Sequence, residues 1–223
     1  MANQPMLLIT IDGPAGAGKT TVSKMLARKL RYRYLDTGAL YRAVAFGVRA
    51  AGIRPDDDRG LGDVCDTLHL SVEENRLVLN GVDISDRIRS PEISMLASAV
   101  SARPVVRQAL LGIQREMGRT GGLVAEGRDM GTVVFPEADL KFFLDATVQQ
   151  RARRRFEEYD KGNGQTLEQI EQDIRRRDEN DSSRDIAPLR PADDAVTIDS
   201  TTMTARQVVG LMMACVRKMI EPS

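Results

Sequence analysis

The residues best able to do chemistry lie close to the start of the chain, at Gly13-Pro-Ala-Gly-Ala-Gly18-Lys19-Thr20-Thr21. Their spacing is G-x-x-x-x-G-K-T. Glycines at these positions let successive backbone N–H groups turn inward around an anion, and a following helix adds partial positive charge at its N-terminus. A lysine in this place reaches the β- and γ-phosphates of a nucleoside triphosphate, and the threonine hydroxyl meets Mg²⁺. Gly13, Pro14, Ala15, Gly16, Ala17, Gly18, Lys19, Thr20 and Thr21 are therefore the candidate triphosphate site. A second group carries charge at spacings that could meet another anion. Asp36-Thr37-Gly38 is followed by Arg42, and Glu126-Gly-Arg128-Asp129-Met-Gly-Thr132 is a charged stretch punctuated by glycines. Arginines are dense over 151–155 and 175–177, with Asp181 and Arg184 beyond.

The elements that must hold these groups follow from periodicity. Met6–Ile11 is a short apolar run with β-branched residues, which reads as a buried strand feeding the glycine loop. Val22–Leu30 takes up helical spacing. Tyr32–Leu35 reads as a strand, and Ala39–Ala51 as a helix stopped by Gly52 and Pro55. Ligands of open α/β sheets bind outside the carboxyl ends of the strands, so Thr37 and Arg42 stand where a second phosphate could dock. A helix cap and a solvated arginine explain them equally well. Leu68–Val72, Arg76–Leu79 and Val82–Ile84 read as a small antiparallel insert, with Asn80-Gly81 as its hairpin turn. Helices are expected over Pro91–Ala102 and Pro104–Gly118, carrying Ser98, Ser101, Arg103 and Arg107. Gly121–Ala125 is a strand opening into the 126–132 loop, and Asp139–Leu144 is another, with Asp145 at its end. Thr147, Thr166 and Thr204 each begin a capping-box pattern. The first two open arginine-rich helices joined by a mobile turn at Lys161-Gly-Asn-Gly164. On the second of these helices Arg177, Asp181 and Arg184 fall at i, i+4 and i+7, on one face. Acidic residues balance the arginines, so a solvated, salt-bridged hairpin remains open beside a phosphate-closing lid. Ala195–Asp199 is a last strand before a helix reaching about Ile220.

Composition narrows the classes. At 223 residues the chain suits one domain with small inserts. Lys+Arg and Asp+Glu number 32 each, so no global basic field exists to hold a nucleic-acid polymer. Cys65 and Cys215 read as buried free thiols, and the lone His69 as structural. No basic leader, long apolar run or membrane span is present in this sequence, which reads as cytoplasmic. A regulatory GTPase would need N-K-x-D, which does not occur. A small-molecule kinase needs a triphosphate site, an acceptor site and a water-excluding lid. That class fits the parts.

The stretches Gly13–Lys19, Leu35-Asp-Thr-Gly-Ala-Leu-Tyr-Arg42, Glu126–Pro136 and Asp185-Ile-Ala-Pro-Leu189 resemble the signatures of bacterial cytidylate kinases, in order and over nearly the whole chain. The resemblance implies an α/β fold of the P-loop nucleoside monophosphate kinase type. It would comprise a parallel sheet flanked by helices, a β-rich substrate-binding insert and an arginine-rich helical lid. Within a single kinase domain the core would be 1–62, 103–147 and 190–223, the insert about 63–102 and the lid about 148–189. It implies ATP with Mg²⁺ as donor, CMP or dCMP as acceptor, and a monomer binding neither nucleic acid nor membrane. By the same resemblance Thr37, Arg42, Arg128 and Arg184 meet the acceptor phosphate. Ser98, Arg107 and Asp129 face the cytosine, and Arg177 and Asp181 the sugar. Lys19, Arg128, Arg154 and Arg184 are the expected catalytic set; of the lid arginines, Arg154 is read here as the one that would reach the γ-phosphate on closure. Thr20 is the expected Mg²⁺ partner through ATP, Asp145 is the nearest further carboxylate, and Glu126 has no assigned role. UMP, AMP or a shikimate-like acid are alternative acceptors, and a non-enzymatic nucleotide-binding adaptor is a further alternative.

Overall fold

A computed structural model describes residues 6–73, 76–158 and 165–220. The expected turn at 161–164 lies outside the described residues. Contacts divide the chain into two compact units, one of residues 1–35 with 120–223 and one of residues 36–119.

The first unit is built on a sheet in the order β2-β6-β1-β7-β8. Its strands are β1 (Leu8–Asp12), β2 (Arg33–Asp36), β6 (Leu123–Gly127), β7 (Leu140–Asp145) and β8 (Val196–Asp199). The chain enters at the centre: β1 runs parallel to β6 on one side and to β7 on the other, and β7 parallel to β8. Central parallel strands are covered on both faces and so read as apolar runs. Accordingly Ile9, Ile11, Val124, Phe142 and Leu144 are buried with Leu26 of α1 (Lys19–Leu30). Val208, Val209, Met212 and Val216 of α8 (Ala205–Ile220) close the same core. The Thr204 box is complete: the Thr204 amide donates to Gln207 Oε1 at 2.9 Å, and the Gln207 amide to Thr204 Oγ1 at 3.3 Å.

In the second unit α2 (Thr37–Ala50) packs against α4 (Pro91–Val100) and α5 (Pro104–Gly118), and Leu40, Val44, Ile93, Val106 and Leu110 on these helices are buried. The Asp36 carboxylate accepts from the Ala39 amide and starts α2 two residues before the expected position. Ser90 caps α4 and Pro91 pre-sets its first turn. The insert is a three-stranded antiparallel sheet of β3 (Leu70–Glu73), β4 (Arg76–Leu79) and β5 (Val82–Asp83). Asn80 and Gly81 both have positive φ (49° and 79°), the turn that the Asn-Gly pair selects. One helix was not legible in the sequence: α3 (Asp58–Thr67) contains Gly60 and Gly62, poor helix formers. It forms because Asp57 caps it and Leu61 and Val64 are buried.

Three further expectations are corrected. The strand expected to end at Ala125 runs on through Glu126 to Gly127, so Glu126 is a strand residue rather than a loop one. The stretch after it is not open loop, because Met130–Val134 forms a π-helical turn closed by amides donating back to Asp129 and Met130. The thiols of Cys65 and Cys215 are free but only half-buried.

Candidate active site

Two glycines show why the loop after β1 has its composition. Gly13 has φ +147°, and a Cβ there would lie 2.0 Å from the Leu144 carbonyl oxygen. Gly18 has φ +91° and precedes α1 without any side-chain cap, and no acidic residue occupies the first turn. Its positive φ is a conformation that L side chains rarely adopt, and it places the chain at the start of the helix, where the first backbone N–H groups are left without partners. The arrangement fits an anion. Thr20 and Thr21 are exposed on that first turn, so the Thr20 hydroxyl is available to a metal bound with the phosphates.

Lys19 is buried and donates to the carbonyls of Gly13 and Pro14, 2.7 Å each. Burial pushes its ammonium down to about 7, helped by Arg128 and opposed by Glu126, Asp12 and Asp181. Glu126, the side chain the sequence left without a role, is buried and accepts from the Tyr34 hydroxyl. Asp12, not singled out in the sequence, ends β1 and is buried beside the glycine loop. An acid closing an apolar strand directly before that loop was the available signal.

Beyond Gly127 the chain presents Arg128 and Asp129, the latter buried. Arg128 Nε donates to Asp181 Oδ2 at 2.7 Å, and Arg184 Nη2 donates to the other oxygen of the same carboxylate. Burial pushes Asp181 up, but Arg128 and Arg184 outweigh it and hold the carboxyl below its ordinary value. Burial likewise works against Arg128, yet Asp181 leaves its pKa above the ordinary one. The one-face spacing of Arg177, Asp181 and Arg184 needs correction. Helix α7 (Leu167–Ser182) ends before Arg184, which reaches Asp181 from the turn beyond it.

Helix α6 (Val148–Glu158) contributes arginines that do different work. Arg151 is buried, donating to Ala146 O at 2.8 Å and to Ala15 O at 3.0 Å, and pairing with Asp178 of α7 at 2.6 Å. Arg154 donates to Ala17 O at 3.3 Å and to Ser200 O at 2.5 Å. Both tie α6 to backbone carbonyls of the glycine loop. Of the two capping boxes expected here, Thr166–Gln169 is complete. At Thr147 one half is seen, the Gln150 amide donating to Oγ1 at 3.4 Å. Asp145 is half-buried and accepts from the Ala146 amide at 2.8 Å.

In the second unit Thr37 is buried in the first turn of α2, and Arg42 pairs with Asp36 at 2.9 Å. Ser98 Oγ, on α4, is buried with no hydrogen-bond partner. Arg107, on α5, is buried, donates to Ser101 O at 3.3 Å and lies over the Tyr41 ring at 5.8 Å. Arg177, on α7 of the first unit, is half-buried.

A sequence model of the cytidylate kinase family matches residues 9–218. A cytidylate kinase of Geobacter sulfurreducens is 50% identical over 217 residues, covering 95% of this chain and 93% of the relative. One from Citrifermentans bemidjiense is 48% identical over the same shares. Among solved structures, a shikimate kinase from Bacteroides thetaiotaomicron aligns with a TM-score of 0.50 at 13% identity, over 96% of this chain and 99% of that one. That likeness bears on the fold alone.

Proposed function

This chain belongs to the cytidylate kinase family, and on that premise we propose how its residues move a phosphoryl group. The enzyme transfers the γ-phosphoryl of ATP to the phosphate of CMP or dCMP, giving ADP and CDP or dCDP. The attacking atom is an acceptor phosphate oxygen, ionised at neutral pH, so the reaction asks for no general base. It asks for two anions held in line and for positive charge where charge develops. Arginine meets this need, because it stays charged and binds phosphate oxygens through a fork.

The observation that carries the reading is the pairing of Arg128 and Arg184 on the one Asp181 carboxylate, with Lys19 held on the carbonyls of the glycine loop. Gly13–Thr21 hold the triphosphate and Lys19 bridges toward the γ-phosphate. Thr37, Arg42, Arg128 and Arg184 bind the acceptor phosphate. Arg154 turns from its carbonyl partners to the transferring group. Ser98, Arg107 and Asp129 read the base. Cytosine offers an N4 amino donor that a carboxylate and a hydroxyl accept, whereas uracil offers an oxygen there. The partnerless Ser98 Oγ supports this. Arg177 and Asp181 take the sugar, Asp181 also orienting both phosphate arginines. Mg²⁺ would be held at the Thr20 hydroxyl, and when bound it neutralises charge on the β- and γ-phosphates.

By the same reading residues about 63–102 are the monophosphate-binding insert, about 148–189 the lid, and 1–62, 103–147 and 190–223 the core. The enzyme works as a cytoplasmic monomer on free nucleotides. No helix among the described residues is long and apolar enough to cross a membrane. The deciding experiment is ADP release from ATP and Mg²⁺, first without acceptor and then with CMP, dCMP, UMP, AMP and shikimate in turn. Fast turnover with CMP and dCMP and almost none elsewhere is expected. A flat response across acceptors would overturn the assignments to Ser98, Arg107 and Asp129.

A further inference from the structure

We propose that Asp12 is a positioning residue that fixes the Arg128–Asp129 turn from its return side. Asp12 closes β1 and lies opposite Gly127 in the β1–β6 register. The chain leaves that ladder at Gly127, turns through Arg128 and Asp129, and comes back over the same residue. There Asp12 Oδ1 accepts from the Met130 amide and Oδ2 from the Gly131 amide, both at 2.8 Å. The backbone of Asp12 thus sits against the outgoing strand, and its side chain holds the returning one. The two residues between have an anchor on each side.

The chemistry of the anchor explains why it is an aspartate. Two successive amides at the start of the π-helical turn are donors left without partners inside the turn. Each needs an acceptor, and a carboxylate supplies one on each oxygen. Asparagine would satisfy one amide and oppose the other with its own N–H₂. Hydrogen bonds to an ionised acceptor are also shorter and stronger than neutral ones. The carboxylate is buried, where leaving a charge without hydrogen bonds is costly. With both oxygens engaged, Asp12 is placed to hold the backbone rather than to take up a proton from substrate. Its position directly before Gly13 makes one residue the neighbour of the donor loop and the brace of the turn facing the acceptor. The inference rests on the reading that Arg128 and Asp129 serve the acceptor.

The test compares Asp12→Asn with wild type, reading KM for CMP, KM for ATP and kcat separately, with Asp129→Asn alongside. Asp12→Asn should raise KM for CMP by about tenfold, the scale of a sub-ångström misplacement, and by clearly more than KM for ATP, which feels only the lost charge beside Lys19. A purely structural residue would move both constants equally or only the melting temperature. Equal rises in the two KM values, or no rise for CMP, would overturn the proposal. Asp129→Asn reports on the underlying reading: unchanged discrimination between CMP and UMP would remove Asp129 as base reader, while the split in KM still decides Asp12. Should Asp12→Asn not fold, an amide-to-ester replacement at Gly131 removes one donor and leaves every side chain in place. A selective rise in KM for CMP is expected there too, and its absence would count equally against the brace.

Discussion

At the scale of single residues, the proposed transfer turns on charge delivered to fixed points. Lys19→Ala should lower kcat by about 10³-fold, the usual loss when a preorganised stabilising group is removed, with an unchanged far-UV circular dichroism spectrum. Wild-type turnover in that variant would remove the loop from the mechanism. Asp129→Asn should narrow the kcat/KM ratio of CMP over UMP by one to two orders of magnitude, since sites built on hydrogen bonds discriminate strongly. Lys19 was singled out in the sequence because its motif fixes both residue type and distance along the chain. Asp12 and Glu126 were not. Their partners, the Met130 and Gly131 amides and the Tyr34 hydroxyl, lie 118, 119 and 92 positions away. Local pattern carries no trace of such pairings.

At the scale of elements, Asp181 joins the end of α7 to the turn after β6. Asp181→Asn would leave Arg128 and Arg184 without their shared counter-charge, a loss of about 3–5 kcal/mol for a broken buried pair. Because the folded pKa of Asp181 lies below its ordinary value of 3.8, its contribution is complete above that value. It disappears as pH falls through the folded pKa. Melting temperatures of wild type and variant should therefore differ by a constant amount from pH 6 to 8 and begin to converge only below the ordinary value of 3.8. A gap independent of pH would mean that shape rather than charge holds the two elements together. Strands, the Asn80-Gly81 hairpin and the Thr166 and Thr204 caps followed from local rules. Helix α3 did not, because burial of Leu61 and Val64 overrides two glycines. The π-helical turn at 130–134 did not either, being shaped by contacts that begin on β1.

At the scale of the whole molecule, equal numbers of acidic and basic residues leave attraction for nucleotides to local clusters. That is why the class could be read as small-molecule chemistry before any fold was in view. The order of the strands was not read from the sequence, nor were the bonds of Arg151 and Arg154 to glycine-loop carbonyls, whose partners lie 136 and 137 positions away. The bonds of Arg151 to Ala15 and Asp178 have a thermodynamic side. A loop already shaped by its own fold has little entropy left to lose on meeting a ligand. In calorimetry ATP should bind the wild type with a modest entropic penalty. Arg151→Ala should bind it more weakly through a larger penalty, with a heat-capacity change grown more negative as the loop orders on contact. An affinity loss carried by enthalpy alone would mean that Arg151 acts by direct attraction. The expected result would make this arginine a store of order, set aside when the chain folds and drawn on at every turnover.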